Sequence, residues 1–300
     1  MKNLRGRVAV ITGAASGFGL EFARAGHQLG LKLVLADIQQ DALNGAYEEL
    51  KAQGADVIAV HCDVSKPEQV QALADATIAH FGTVHLLFNN AGVGSGGLLW
   101  ESTQADWEWV LGVNMWGVIH GIRIFTPLML ECAKNELHYE AHIINTASVA
   151  GLLNASTMGI YSVSKHAVVS LSETLYHDLN LIDAPINVSV LCPYFVPTGI
   201  AQSSRNRPAA LHNNVSLTPS QRLAQTLAEQ SVSAGKMSAA QVAEQTFEAI
   251  RENQFYIYTY LGMLGEVEKR MDDVLAQRNP RDPYEAQPQL RDMLQAKLRR

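Results

Sequence analysis

Short runs of apolar, mostly β-branched residues alternate with longer segments of helical periodicity along most of the chain. The apolar runs predict strands at residues 8–11, 31–36, 57–62, 86–89, 143–146, 188–191 and 255–260. Helix-length segments fall between them at 19–30, 40–53, 67–81 and 162–181. This alternation predicts an α/β fold, a doubly wound Rossmann-type parallel sheet with helices on both faces. Such sheets bind ligands at the carboxyl ends of their strands, so the residues after each strand are the first candidates for a site.

The pattern changes after the sixth predicted strand. Residues 193–220 contain four prolines and little periodicity, which predicts a long mobile substrate loop over about 194–220. Ser238 followed by Gln241 resembles a capping box that opens a helix running to Ile250. We expect residues 1–261 to form a single dinucleotide-binding and catalytic domain.

Residues 262–300 are predicted to form a helical extension. Two apolar stripes occur there, separated by prolines: Val267, Met271, Val274 and Leu275, then Leu290, Met293, Leu294 and Leu298. The stripes fit surface helices packed on their own subunit, and they fit equally a subunit contact or a cover over the substrate cleft, because periodicity shows an apolar face and not its partner.

Composition restricts the class of protein. A chain of 300 residues with 47% hydrophobic and 17% charged residues can bury a core. The net charge of −6 argues against nucleic acid as a partner. No stretch has the length of a membrane span, so no membrane partner is expected. Cys62, Cys132 and Cys192 are odd in number and far apart, which predicts free thiols in a reducing compartment, and we expect a cytoplasmic protein.

A glycine-rich segment, Thr12-Gly13-Ala14-Ala15-Ser16-Gly17-Phe18-Gly19, follows the first strand and precedes a helix. Glycines allow close backbone approach to a phosphate, and the helix start offers unpaired N–H groups. Asp37 ends the second strand, where a carboxylate can accept hydrogen bonds from ribose hydroxyls and repels a 2′-phosphate. Neither Ser16 nor Ile38 supplies a compensating positive charge, so NAD is predicted in preference to NADP.

Tyr161 and Lys165 are four residues apart and share one helix face. A tyrosine is a poor base at neutral pH, and a nearby ammonium lowers its pKa toward a useful range. Ser148 lies 13 residues upstream of Tyr161, just after a strand, where its hydroxyl can polarise a carbonyl. The combination predicts an acid–base site.

With these motifs the chain resembles the short-chain dehydrogenases/reductases, in the branch with a T-G-x-x-x-G-x-G loop, over about residues 4–260. The family's N-N-A-G motif is present as Asn89-Asn90-Ala91-Gly92, and its P-G-x-V-x-T segment is matched by Pro193-Tyr194-Phe195-Val196-Pro197-Thr198. The resemblance implies a cofactor-binding set of Gly13, Ser16, Gly17, Phe18, Gly19, Asp37, Ile38, Asp63, Val64, Asn90, Ala91, Gly92, Tyr161, Lys165, Pro193, Val196 and Thr198.

The resemblance also implies roles in hydride transfer between a nicotinamide and an alcohol or ketone carbon. Tyr161 exchanges the proton, Lys165 lowers its pKa and holds the ribose hydroxyls, and Ser148 orients the substrate oxygen. Asn114 matches the helix asparagine that holds a water in a proton relay. Tyr194 departs from the family, since a glycine is usual there, and it is expected to narrow or reshape the pocket. Family habit implies a homodimer or homotetramer.

The expected substrate pocket is mainly apolar. Gly96, Leu98, Leu152, Leu153 and Tyr194 follow strands four to six, and with Ser148 and Tyr161 they favour a bulky hydrophobic or aromatic secondary alcohol. The segment Ser203-Ser204-Arg205-Asn206-Arg207-Pro208, with the extended tail, resembles family members that oxidise aryl-side-chain alcohols from lignin. Arg205 and Arg207 are interpreted as exposed loop residues rather than ligands of an anion.

Two further patterns and two other functions need to be considered. His138 and His142 are four apart, but the segment is polar and precedes a strand, which favours a surface loop over a metal site. Trp107, Trp109 and Trp116 are interpreted as packing residues, and Trp100 as a residue that could line the cleft.

A non-catalytic NAD-sensing protein and an epimerase or dehydratase on the same scaffold remain alternatives. The first predicts cofactor binding without turnover, and the second predicts product without net NADH change.

Overall fold

Seven parallel strands form one sheet in the order β3-β2-β1-β4-β5-β6-β7. The computed structural model describes residues 1–213 and 215–299; residues 214 and 300, in the predicted loop and extension, lie outside it. The strands are β1 Val8–Thr12, β2 Lys32–Asp37, β3 Val57–His61, β4 Leu86–Asn89, β5 Ala141–Thr146, β6 Ile186–Cys192 and β7 Tyr256–Tyr258. This is the predicted doubly wound Rossmann-type fold, with the order reversing between β1 and β4, so the fold class is confirmed.

Helices cover both faces of the sheet. They are α1 Gly17–Gln28, α2 Gln40–Ala52, α3 Pro67–Phe81, α4 Gln104–Leu111, α5 Gly117–Asn135, α6 Gly159–Leu181, α7 Pro219–Ser233, α8 Ala239–Glu252, α9 Leu264–Leu275 and α10 Pro288–Leu298. Helices α1, α2 and α8 pack on one face of the sheet. Helices α3, α5 and α6 pack on the other face.

The strand β1 shows why these sequences form buried strands. Val8 and Val10 pack into the core beneath α3, α5 and α6. Ala9 and Ile11 pack into the core beneath α1, α2 and α8. Every residue of β1 is therefore buried, which explains why the run is continuously apolar rather than alternating. Because β1 pairs with β2 on one side and β4 on the other, three strand ends meet at one edge of the sheet.

All seven predicted strands are present, with ends displaced by a few residues, and so are the predicted helices. The capping box of Ser238 and Gln241 is confirmed and opens α8, which runs two residues beyond Ile250. Helices α4, α5 and α7 were not predicted. Between α4 and α5 the backbone forms a π-helical turn, Gly112–Trp116, which carries Asn114.

The loop predicted over about 194–220 is more regular than expected. Two 3-10 helices, Gly199–Asn206 and Ala209–Leu211, lie within it, and α7 already begins at Pro219. Pro208 directly precedes the second 3-10 helix and Pro219 is the first residue of α7, positions at which the missing N–H group costs little. The segment therefore contains more regular structure than its composition indicated.

The prediction that His142 lies in a surface loop was also wrong. His142 belongs to β5 and is fully buried. Its Nε2 lies 2.7 Å from Ser189 Oγ in β6, and the Ser189 hydroxyl donates to the Gln254 carbonyl. Burial lowers the pKa of His142 to about 3. His138 is exposed, and the described residues contain no group of three or more His, Cys, Asp or Glu side chains that could hold a metal ion.

The two tail helices differ in how they pack. In α10, Leu294 is buried, and this helix lies against α7. In α9 the predicted stripe faces outward, with Met271 43%, Val274 58% and Leu275 78% exposed. Across the described residues, no helix is long and apolar enough to cross a membrane.

Close packing of α5 on β4 gives a first test of the fold. A Cβ atom on Gly121 would lie 2.0 Å from Asn89 Oδ1, whereas Gly45 in α2 has nothing within 4 Å of that position. We expect Gly121→Ala to lower the free energy of unfolding by about 1–3 kcal/mol, because a packed site cannot accept the added methyl group. Gly45→Ala should raise it by about 0.5–1 kcal/mol. Chemical denaturation of both variants measures the difference, and equal values would contradict the packing described.

Candidate active site

The turn between β1 and α1 is built from glycines that no other residue could replace without strain. Gly13 has φ of +66°, and a Cβ there would lie 2.9 Å from Ala91 Cα. A Cβ on Gly19 would lie 2.1 Å from the Gly13 carbonyl oxygen. The first N–H groups of α1, from Gly17 onward, have no intrahelical acceptor. The turn therefore presents backbone donors and a positive helix end to an anionic group.

Thr12 joins this turn to the segment after β4. Its hydroxyl donates to the Phe88 carbonyl and accepts hydrogen bonds from the N–H groups of Asn90, at 2.9 Å, and Ala91, at 3.1 Å. The side-chain amide of Asn90 donates a hydrogen bond to the Thr12 carbonyl. Sequence reasoning gave Thr12 no role of its own, although its place at the start of the glycine motif was a usable signal.

The carboxylate of Asp37 lies at the end of β2 and caps the same turn. Its two oxygens accept hydrogen bonds from the N–H groups of Ala15, at 3.0 Å, and Gln39, at 2.9 Å. Each oxygen keeps a lone pair for a further donor. Ser16 is exposed and Ile38 is partly buried, and both flank this carboxylate in sequence or space.

Asp63 and Val64 follow β3 at the next strand end. One Asp63 oxygen accepts from the backbone N–H and the hydroxyl of Ser65. Val64 is buried, and a Cβ on Gly117 would lie 2.7 Å from its Cγ2. Asp63 and Val64 therefore lie in a closely packed turn that contacts the first residue of α5.

Ser148, Tyr161 and Lys165 meet above β5. Ser148 precedes a single 3-10 turn, Val149–Gly151, and its hydroxyl accepts from Ala150 N–H. Lys165 lies one turn after Tyr161 in α6, with its ammonium 5.7 Å from the tyrosine ring centre. The ammonium is buried and donates to the Thr146 carbonyl at 2.9 Å. In the described residues no carboxylate pairs with it.

The pKa values in the trio formed by Ser148, Tyr161 and Lys165 differ in part from those expected from the sequence. Burial raises the pKa of Tyr161, and the Ser148 hydroxyl acts against that rise. Burial also lowers the pKa of Lys165 to about 8. The direction predicted for Tyr161, a lowered pKa caused by Lys165, is therefore not found, because loss of solvent outweighs the hydrogen bond from Ser148.

Asn114 lies next to the trio, and Gly92 leaves space between them. Its side chain accepts from Val93 N–H and donates to the Val93 carbonyl and to Ser164 Oγ. A Cβ on Gly92 would lie 3.5 Å from both Asn114 Oδ1 and Lys165 Nζ. These two polar atoms thus flank a space that a larger residue would fill. Ser164, which fixes the asparagine, was not identified from the sequence.

The segment after β6 closes the site from the far side. The Pro193 carbonyl accepts from Val149 N–H, Val196 is buried, and Thr198 packs 3.5 Å from the Cβ position of Gly17. Tyr194 packs its ring against Phe195 and Tyr260 and is 43% exposed. Leu153 is partly buried just beyond the Ser148 turn. Trp100, considered as a cleft residue, is 80% exposed, and Trp109 is buried.

Comparison with known proteins fits this geometry. A family model described as short chain dehydrogenase matches residues 7–209, about two thirds of the chain. The chain belongs to the short-chain dehydrogenase family. It is 31% identical over 283 residues to a CLA biosynthesis dehydrogenase/reductase of Lactiplantibacillus plantarum, covering 93% of this chain and 97% of the relative. It is 33% identical over 259 residues to a 1-deoxy-11-beta-hydroxypentalenate dehydrogenase of Streptomyces avermitilis, covering 86% of each.

Among solved structures, a short-chain dehydrogenase/reductase from Burkholderia phymatum in complex with NAD is 56% identical. The match covers 94% of this chain and 99% of that chain, with a TM-score of 0.91.

The Thr12 hydroxyl gives a test of how the site is held together. We expect Thr12→Val to lower the free energy of unfolding by about 2 kcal/mol or more, because two N–H groups lose their acceptor. Thr77→Val is the matched control, since the buried Thr77 hydroxyl only bonds the Leu73 carbonyl within α3. Urea unfolding of both variants measures the effect. A Thr12→Val variant as stable as the control would contradict this role.

Proposed function

We propose that this protein is an NAD-dependent oxidoreductase that interconverts a secondary alcohol and a ketone on a bulky hydrophobic or aromatic substrate. Catalysis is proposed to rest on Ser148, Tyr161 and Lys165, with Asn114 in the proton relay. Membership of a dehydrogenase family supports the reaction class. The names of the relatives, one a hydroxypentalenate dehydrogenase, support a hydroxyl group as the position oxidised.

The observation that carries the proposal is the buried ammonium of Lys165 beside Tyr161, which has no carboxylate partner in the described part of the chain. Lysines are rarely buried unless they are paired, because desolvating the charge is costly. Among the residues that the structure describes, the ammonium donates to the Thr146 carbonyl alone, and the pKa falls to about 8. A perturbed group in a cleft next to a tyrosine and a serine is typical of an acid–base site.

The residues around the glycine turn suit a nicotinamide dinucleotide. The backbone donors of α1 would hold its pyrophosphate, and the spare lone pairs of Asp37 would accept from the adenosine ribose. Asp63, Val64, Asn90, Ala91 and Gly92 would line the path between these groups. Pro193, Val196 and Thr198 would contact the nicotinamide end. The Burkholderia phymatum structure, which is 56% identical, is a complex with NAD, which supports this assignment.

The nicotinamide, when bound, supplies the hydride acceptor or donor. Tyr161 takes the alcohol proton during oxidation and returns it during reduction. The Ser148 hydroxyl, which already acts against the rise in the pKa of Tyr161, orients the substrate oxygen toward the tyrosine. Lys165 provides the positive charge that favours the phenolate and would hold the ribose hydroxyls. Asn114 and Lys165 flank the space at Gly92, where a water would carry the proton outward.

The substrate class is proposed from the surroundings of the trio. Leu153 and Tyr194, with Leu98 and Leu152, place apolar surface after strands β4 to β6, and few charges accompany them. Such surroundings favour an apolar or aromatic alcohol over a sugar or an acid. We further propose that residues 1–261 form the catalytic unit, that 262–300 form an extension, and that the protein assembles as a homodimer or homotetramer.

The first test is NADH formation by the purified protein over secondary alcohols from aliphatic to bulky aryl. We expect turnover with the aryl members, and a fall of about 10²- to 10⁴-fold in kcat for Tyr161→Phe because the proton acceptor is gone. NAD affinity, measured by titration, should stay unchanged. Tyr47→Phe in α2, which removes a hydroxyl that accepts only from the exposed Lys51 ammonium in the described structure, is the matched control. Full activity in Tyr161→Phe would contradict the mechanism, and NAD binding without turnover in the wild type would favour a sensing role.

Cofactor choice provides a separate test at Asp37. We expect Asp37→Asn to lower the preference for NAD over NADP about tenfold, because a 2′-phosphate no longer meets a negative charge. Asparagine keeps an oxygen for the Ala15 or Gln39 N–H group, so the turn is disturbed less than by Asp37→Ala. Asp41→Asn, which changes the net charge equally nearby, is the control. An unchanged ratio of kcat/KM values in Asp37→Asn would show that Asp37 does not select the cofactor.

A further inference from the structure

An almost fully buried ion pair joins the loop after β6 to helix α4. Arg207 Nη1 donates to Asp106 Oδ1 at 2.6 Å, with side-chain exposures of 13% and 4%. The interpretation of Arg207 as an exposed loop residue is therefore wrong. Arg205, two residues earlier, is exposed, and its guanidinium donates to the carbonyls of Gly199 and Gln202 within its own loop.

The ion pair lies at the centre of a polar network. Asn213 donates to Asp106 Oδ1 and accepts from the Thr103 hydroxyl and from Arg207 Nη2. Thr103 and Asp106 also form the capping box that opens α4. Burial alone would raise the pKa of Asp106, but the hydrogen bonds from Thr103, Arg207 and Asn213 outweigh it and lower the pKa. The buried Asp106 carboxylate therefore stays ionised, and the positive charge of Arg207 compensates for its loss of solvent.

The same arginine also packs on an apolar cluster beside the acid–base site. Its guanidinium carbon lies 5.1 Å from the ring centre of Trp109. Trp109 packs with Val93, Val110 and Ile160, and Leu211 of the loop rests on this cluster. Ile160 immediately precedes Tyr161 in α6, and Val93 bonds Asn114. The loop is thus held against neighbours of two proposed catalytic residues.

Other hydrogen bonds fasten the rest of the loop to the same region. The hydroxyls of Thr218 and Ser220 donate to the Glu101 carboxylate. Two further bonds come from backbone N–H groups. Gly94 N–H donates to the buried Ser203 hydroxyl at 2.9 Å, and Leu98 N–H donates to Ser220 Oγ at 2.9 Å. Each is a single neutral hydrogen bond. Among the described ties between this loop and the segment after β4, the Arg207–Asp106 contact is the one that joins two charges.

We propose that the Arg207–Asp106 ion pair is the specificity-determining anchor that holds residues 199–213 as a fixed wall of the substrate cleft. Arg207 is a positioning residue, because it acts through Trp109, Leu211 and the loop and not on the substrate. The loop then contributes contacts to large substrates that small alcohols do not reach. The inference rests on the proposed function where it concerns substrate selectivity. Its second consequence, the rigidity of the loop, can be measured without any substrate.

The test separates anchoring from stability with two variants. Arg207→Met keeps the apolar stem but leaves Asp106 buried without its partner, so the melting temperature should fall. The double variant Asp106→Asn with Arg207→Met has no unpaired charge, so the melting temperature should recover in part while the loop stays unanchored. Arg205→Met is the matched control on the same loop.

Two readouts are compared across these variants. The first is the ratio of kcat/KM for 1-(2-naphthyl)ethanol to that for 2-butanol, which should fall about tenfold through KM in both Arg207 variants. The second is amide hydrogen exchange of residues 199–213, which should become at least about tenfold faster in both, with α6 unchanged. Arg205→Met should match the wild type in both.

Recovery of the selectivity ratio together with the melting temperature in the double variant would overturn the proposal, because the ion pair would then act on stability alone. Unchanged exchange over 199–213 in both Arg207 variants would also overturn it. If the wild type turns over no alcohol, the proposed function fails, and hydrogen exchange still decides whether Arg207 anchors the loop.

Discussion

Burying both faces of a parallel sheet is the constraint on which the rest of the molecule depends. All seven strands run the same way, so their carboxyl ends open at one edge, and every connection must return over a face as a helix. The strand order reverses between β1 and β4, which leaves a crevice at that edge. Thr12 spans this crevice by bonding β1 to the segment after β4, and Asp37 closes the turn from β2. The position of the proposed active site follows from topology before any catalytic residue is considered.

The strands of this fold could be predicted because a strand buried on both faces of the sheet is a short, continuous apolar run. Few other structural elements give that pattern. Helices α4 and α5 were harder to predict. The sequence of α4 and α5 contains glycines, aromatics and an internal proline, Pro127, that obscure a helical period. The loop after β6 was misjudged for a related reason. Its order comes from contacts distant in sequence, such as Arg207 with Asp106, and local composition carries no record of those.

That Ser148, Tyr161 and Lys165 lie together could be predicted, because spacing and strand context restrict where a serine, a tyrosine and a lysine can meet. Their environment could not. Whether Tyr161 gains or loses acidity depends on how much solvent reaches it, and a sequence does not report solvent. The partners that hold Asn114 and Lys165 were missed as well. Ser164 looks like any helix serine, and the Thr146 acceptor is a backbone carbonyl that every residue possesses.

The hydrogen bonds around the buried His142 of β5 determine which of its ring nitrogens carries a hydrogen. The Ser189 hydroxyl has one hydrogen and gives it to the Gln254 carbonyl, so the hydrogen between Ser189 and His142 must come from Nε2 of the imidazole. The ring is therefore fixed as the Nε2–H tautomer. It stays neutral from mildly acidic to alkaline conditions, because its pKa is about 3. An imidazole of this kind serves as a permanent neutral dipole that links β5, through β6, to the chain leading into β7.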